Sequence, residues 1–106
     1  MITLKIIPKK ILSLILLINL SLNCFSQSFE TFKNDGYDKF ELKDYRGAIL
    51  DFTKAIELNP SYSGVFYGRG NAKIKLEDKD AGCLDLSKAA ELGEAEAYNA
   101  IKDLCK

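Results

Sequence analysis

Histidine and tryptophan are absent from the 106 residues, proline occurs twice and cysteine three times. Without histidine no Ser-His-Asp or Cys-His nucleophile can be assembled. With no C-x-x-C either, a tetrahedral zinc site has no ligand set, so no metal is expected. No Gly-rich loop runs into Lys-Ser or Lys-Thr, and Gly68-Arg69-Gly70 falls inside a helical pattern rather than after a strand. Asp44, Asp51, Asp78 and Asp85 read as helix caps and solvated faces in preference to a catalytic carboxylate pair. Neither catalysis nor a cofactor is expected. A basic stripe interleaved with aromatics is also missing, which excludes the electrostatic footprint of a nucleic-acid binder.

What is present divides unevenly. Lys5, Lys9 and Lys10 precede an apolar run from Ile11 to Leu22, broken only by Ser13, Asn19 and Ser21. Cys24-Phe25-Ser26 then places small residues first and third before a cut. This is the anatomy of a signal peptide over residues 1–26, leaving Gln27 as the new N-terminus and an exported, periplasmic or secreted domain over 27–106. A spanning helix needs about 20 predominantly apolar residues, which this run does not reach. Two other readings stay open: an uncleaved anchor, and a lipoprotein attached through Cys24, where Leu20-Ser21-Leu22-Asn23-Cys24 resembles a lipid-attachment box. Contact with a membrane is expected only through this segment. All fifteen acidic residues lie beyond it, so the domain would carry twelve basic residues and a net charge of −3.

Residues 29–62 laid over 63–96 without a gap align Phe32 with Phe66, Gly36 with Gly70, Lys39 with Lys73, Leu42 with Leu76 and Asp44 with Asp78. The second halves align Leu50-Asp51 with Leu84-Asp85, Lys54-Ala55 with Lys88-Ala89 and Glu57-Leu58 with Glu91-Leu92. Eleven identities in one register establish a 34-residue repeat. Phe29, Phe32, Gly36 and Phe40 recur at helical steps, as do Ala48, Phe52, Ala55 and Ile56. Asp44 and Asp78 are candidate N-caps, while Asn59-Pro60 and Gly93 end the second helix of each unit. The pattern predicts five helices near 29–42, 45–58, 62–76, 79–92 and 95–105, an all-α solenoid of two helix pairs closed by a capping helix. In that last helix Ala97, Tyr98, Ile101, Leu104 and Cys105 are expected to turn inward.

The period of 34, with Gly36, Tyr45, Ala48, Phe52, Ala55 and Pro60 at its small, aromatic and proline places, resembles the tetratricopeptide repeat. The second unit carries Lys79, Gly82, Leu86 and Glu94 where the first has Tyr45, Ala48, Phe52 and Pro60. The resemblance implies a non-catalytic module that binds a protein or peptide on the concave side of the first helices. There it points to Lys33, Tyr37, Phe40, Glu41, Tyr67, Asn71, Ile74 and Lys75. Some members clamp a C-terminal carboxylate with lysines and asparagines, and Lys33 and Asn71 match two such positions, with Tyr37 departing at a third. A structural unit that self-associates, or a lipid-anchored component of an envelope assembly, is the other reading.

If Cys24 leaves with the signal peptide, Cys83 and Cys105 remain as an even pair, and in an oxidising compartment a pair predicts a disulfide. Antiparallel packing of the last repeat helix and the closing helix about Gly93 would bring them together. Two buried free thiols are the alternative.

Overall fold

The computed structural model describes residues 8–106, and of residues 19–27 the backbone path alone. The expected cut after Ser26 and the Cys24 thiol therefore lie outside the described side chains. Five helices follow in order: α1 Lys9–Glu41, α2 Tyr45–Leu58, α3 Ser63–Lys75, α4 Lys79–Glu91 and α5 Ala95–Leu104. The architecture is all-α. Helix α1 pairs with α2 and α3 with α4, α2 lies against α3, and α5 closes the array on α4.

Four of the five helices begin and end within about a residue of expectation, but α1 starts at Lys9 rather than near residue 29. Between Pro8, which occupies its N-cap, and Gly36 the sequence has neither proline nor glycine, so nothing interrupts the helix between the apolar run and the first repeat. The side chains from Ile11 to Ile18 are exposed on all sides of that helix. Among the described residues no helix is long and apolar enough to cross a membrane.

The turns repeat as the helices do. Lys43 and Glu77, 34 residues apart, adopt left-handed φ values of 63° and 66°, and Gly93 takes φ 103° after α4. Asp44 and Asp78 donate from N–H to the carbonyls of Lys39 and Lys73 at 2.8 and 3.0 Å, and Glu94 does the same to Ala89 at 2.9 Å. The Asp44 carboxylate accepts from the Gly47 amide at 3.0 Å, as an N-cap should. Asp78 occupies the matching N-cap place without such a side-chain bond; its carbonyl accepts the first intrahelical bond from Gly82, as the Asp44 carbonyl does from Ala48.

Two clusters form the core. Phe29, Ala48, Phe52, Ala55 and Val65 make the first; Phe66, Ala89, Ala90 and Ala97 make the second, with Ile56 packed against both. Phe52 is the hub of the first cluster. A Cβ on Gly36 would come within 2.7 Å of its ring, and one on Gly68 within 2.8 Å, so the aromatic ring occupies the space that two glycines leave on α1 and α3. In the second unit backbone meets backbone instead: a Cβ on Gly70 would lie 2.9 Å from the Gly82 carbonyl oxygen.

The closing helix departs from expectation in part. Ala97 is buried, and Ile101 and Cys105 are half-buried, but Tyr98 is 58% and Leu104 41% exposed. One narrow stripe of α5 meets α4; Tyr98 lies about 100° round the helix from Ala97, off that stripe. The Cys83 and Cys105 sulfurs stand at disulfide distance, 2.04 Å, with Cα atoms 5.9 Å apart.

Candidate functional site: the groove between α3 and α5

The repeat register sorts the eight expected site residues into four pairs. Phe40 and Ile74 face their partner helices. Phe40 stacks edge-on against Tyr45 of α2, with ring centroids 5.2 Å apart, and a Cβ on Gly82 of α4 would strike the Ile74 side chain. Both serve packing within a pair, because their places fall on the α2- and α4-facing side of the first helices. Glu41 and Lys75 sit exposed at the last turns of α1 and α3.

Lys33 and Tyr37, on the first unit, are occupied by their neighbours. The Lys33 ammonium lies 2.9 Å from the Glu30 carboxylate and over the rings of Phe29 and Tyr62, at 5.8 and 5.1 Å. The hydrogen bond to Glu30 raises its pKa against the opposing pull of burial. Tyr37 donates its hydroxyl to the Gly64 carbonyl at 2.9 Å and sets its ring edge-on to Phe52 at 5.0 Å, tying α1 to α3. Burial, with the fields of Tyr62 and Glu94, pushes this phenol up.

Tyr67 and Asn71, their counterparts on the second unit, open instead into a groove of about 380 Å³ between α3 and α5. Glu96, Asn99, Ala100, Asp103 and Leu104 complete its walls. The α5 contributors recur at steps of three and four, so they form one stripe of that helix beside the stripe buried on α4. The apolar pattern of α5 drew attention to its packing side alone; the polar residues at the same period were the overlooked signal. Because α5 begins two residues earlier in the repeat than α3 does, Asn99 and Asp103 stand 32 rather than 34 residues after Tyr67 and Asn71.

The fold itself has solved counterparts. The chain is similar to a TPR2B domain of yeast Sti1 in its complex with pHsp70, with a TM-score of 0.62 and 23% sequence identity over 73% of this chain and 69% of that one. The fold is tetratricopeptide-like. No family model and no curated protein matches the sequence.

Behind the groove, the tetratricopeptide-like pair α3–α4 is held by a polar network. Arg69 donates through Nε and Nη2 to both oxygens of Asp85, each at 2.8 Å, and Lys73 Nζ lies 2.9 Å from the same carboxylate. Arg69 Nη1 reaches Thr53 of α2 at 3.2 Å, and the Thr53 hydroxyl donates to the Ile49 carbonyl. Burial pushes the Asp85 carboxyl up, but the bonds from Arg69 and Lys73 outweigh it and leave the group below its usual value. The first unit carries the simpler form, Lys39 to Asp51 at 2.7 Å. Asp51 and Asp85 are thus buried ion-pair partners, not the solvated carboxylates expected, because each receives a lysine from the first helix of its own pair. Lys39/Lys73 and Asp51/Asp85 are both among the repeat identities, the one signal in the sequence that could have pointed to the pairing. Among the described residues no three His, Cys, Asp or Glu side chains converge as a metal site.

Proposed function

We propose that the chain is an exported, non-catalytic protein-interaction module that receives an extended peptide in the groove between α3 and α5. One observation carries this reading: in the second unit Tyr67 and Asn71, both half-buried and Tyr67 packed in part against the second core cluster, line an open groove beside α5, whereas the matching Lys33 and Tyr37 spend their polar groups on Glu30 and the Gly64 carbonyl. A shallow cleft with a few convergent polar groups suits main-chain and side-chain contacts of a peptide better than enclosure of a small molecule. The yeast neighbour in fold was solved in a complex with pHsp70, which favours a protein-interaction role for this fold. A photo-reactive residue at Asn71 or Asn99 should crosslink, in the native host, to one common partner peptide, and the same residue on the convex side at Leu84 should not. Equal crosslinking at all three positions would reject the groove.

Export is part of this proposal. It draws support from the lysines ahead of the apolar run and from Ile11 to Ile18 lying outside both core clusters. Intact mass from the native host should show a chain that begins within two residues of Gln27. Retention of residues 1–22 would reject cleavage, and lipid on Cys24 would select the lipoprotein form. In that compartment Cys83 and Cys105 are proposed to be joined.

Self-association has one specific observation in its favour. Leu42 and Leu76, and Leu50 and Leu84, are repeat-related leucines that all remain exposed, Leu42 to 79% and Leu84 to 73%. Sedimentation that shifts with concentration, and stops shifting in Leu42→Glu, would favour this second reading.

A further inference from the structure

Resting on the reading of the α3–α5 groove as a peptide site, we infer that its occupant is a cationic segment of another protein, presenting lysine or arginine side chains, and not a carboxylate terminus. The groove's charged walls are Glu96 and Asp103, and none of its lining residues is lysine or arginine. Both carboxylates sit on the exposed face of α5. Around them the lining is neutral but suited to holding a cation. Asn71 and Asn99 offer amide oxygens, Tyr67 offers an aromatic face, and Ala100 and Leu104 provide apolar surface for the alkyl stem of a long side chain. A carboxylate would meet like charge on one wall and no ammonium or guanidinium on the other.

Three of the cations on α1 and α3 are committed elsewhere, and Lys75, exposed one turn beyond Asn71, is not among the residues that line the groove. Lys33 is paired with Glu30, while Lys73 and Arg69 are paired with Asp85 behind the groove. The domain beyond residue 26 carries a net charge of −3, so its wider field also favours approach of a basic segment. An acidic pair alone would be a weak argument. Here the pair stands on one wall of a formed cleft, opposite the two positions of α3 that the repeat places toward a ligand.

The test uses the full chain and three end-labelled octapeptides: acetylated and amidated alternating Lys-Ala, acetylated and amidated alternating Ser-Ala, and acetylated alternating Glu-Ala with a free C-terminal carboxylate. Fluorescence anisotropy reads affinity, and the side-chain amide signals of Asn71 and Asn99 read location. The Lys-Ala peptide should bind most tightly, shift both amides and weaken as salt rises. Asp103→Asn should lower its affinity about threefold and Glu96→Gln/Asp103→Asn about tenfold, the scale of one and two exposed charge contacts. Tighter binding of the Glu-Ala peptide with the same amide shifts would overturn the cationic preference and keep the peptide groove. Equal binding of the Lys-Ala and Ser-Ala peptides, indifferent to both substitutions, would likewise overturn the preference alone. Should no peptide move either amide signal, the groove reading itself would fall.

Discussion

The first unit centres on one aromatic ring and the second on polar ties and a cysteine pair at disulfide distance, although the two share a period and a turn geometry. Phe52 fills the gap between Gly36 and Gly68, and its edge contact with Tyr37 links α1, α2 and α3 at one point. At the matching place Leu86 is smaller; α3 and α4 approach at Gly70 and Gly82, Arg69 and Lys73 share Asp85, and the Cys83–Cys105 pair fastens α5. The difference teaches that a repeat conserves where elements cross more strictly than what fills the crossing. It also explains why the groove belongs to the second unit: the first spends its concave side chains on joining the two pairs.

Breaking the aromatic centre should give the largest effect. Phe52→Ala should cost about 4 kcal/mol, and Leu86→Ala about 3 kcal/mol, both read by chemical denaturation. If Leu86→Ala proved the more damaging, the contrast would be reversed. Reducing the cysteine pair comes next. Its 22-residue separation corresponds to about 3 kcal/mol in the chain-entropy model, visible as a lowered thermal midpoint. Two reactive thiols in the denatured, unreduced protein would show that the bridge does not form.

The ion pairs sharpen the comparison further. Asp85→Asn should cost about 2 kcal/mol near neutral pH, since it strips two cations of a buried, charged acceptor. Asp51→Asn should cost about 1 kcal/mol, its lysine being 42% exposed. The folded Asp85 carboxyl titrates below its ordinary 3.8, so its stabilisation is complete above that pH and is lost as pH falls through the lower folded value. Denaturation curves between pH 6 and pH 3 should therefore lose less stability in Asp85→Asn than in the parent. An unchanged acid limb would show that the network contributes nothing. The smallest effect concerns the turns: Lys43→Gly and Glu77→Gly should each gain about 0.5 kcal/mol, relief of a left-handed backbone being offset by a freer unfolded chain. A loss at either position would show that the side chain there makes a contact of its own.

Much of this fold was legible because a 34-residue period imposes its own check, each helix being predicted twice. Asp44, Asn59 and Gly93 mark helix ends in the sequence and in the structure alike. The start of α1 was not, since an apolar run ahead of a repeat reads as a separate segment while its backbone has no reason to stop being helical. The proposed groove was legible on one wall alone. Tyr67 and Asn71 follow from the 34-residue register, but the opposite wall does not, because α5 leaves that register by two residues and its polar stripe belongs to no repeat. Phe40 and Ile74 pack in part against α2 and α4, and on a helix covered on one side and open on another an apolar residue at the boundary reads equally well as ligand contact or packing.

Residue-resolved hydrogen exchange, with and without reductant, tests most directly whether the second unit is held by ties added to a conserved crossing. Reduction should accelerate exchange most strongly across Glu94 to Lys106, moderately in α4, and leave α1 and α2 near their oxidised rates. Uniform acceleration from Phe29 to Lys106 would contradict the account, showing that the two units and the closing helix open as one body with no division of labour between them.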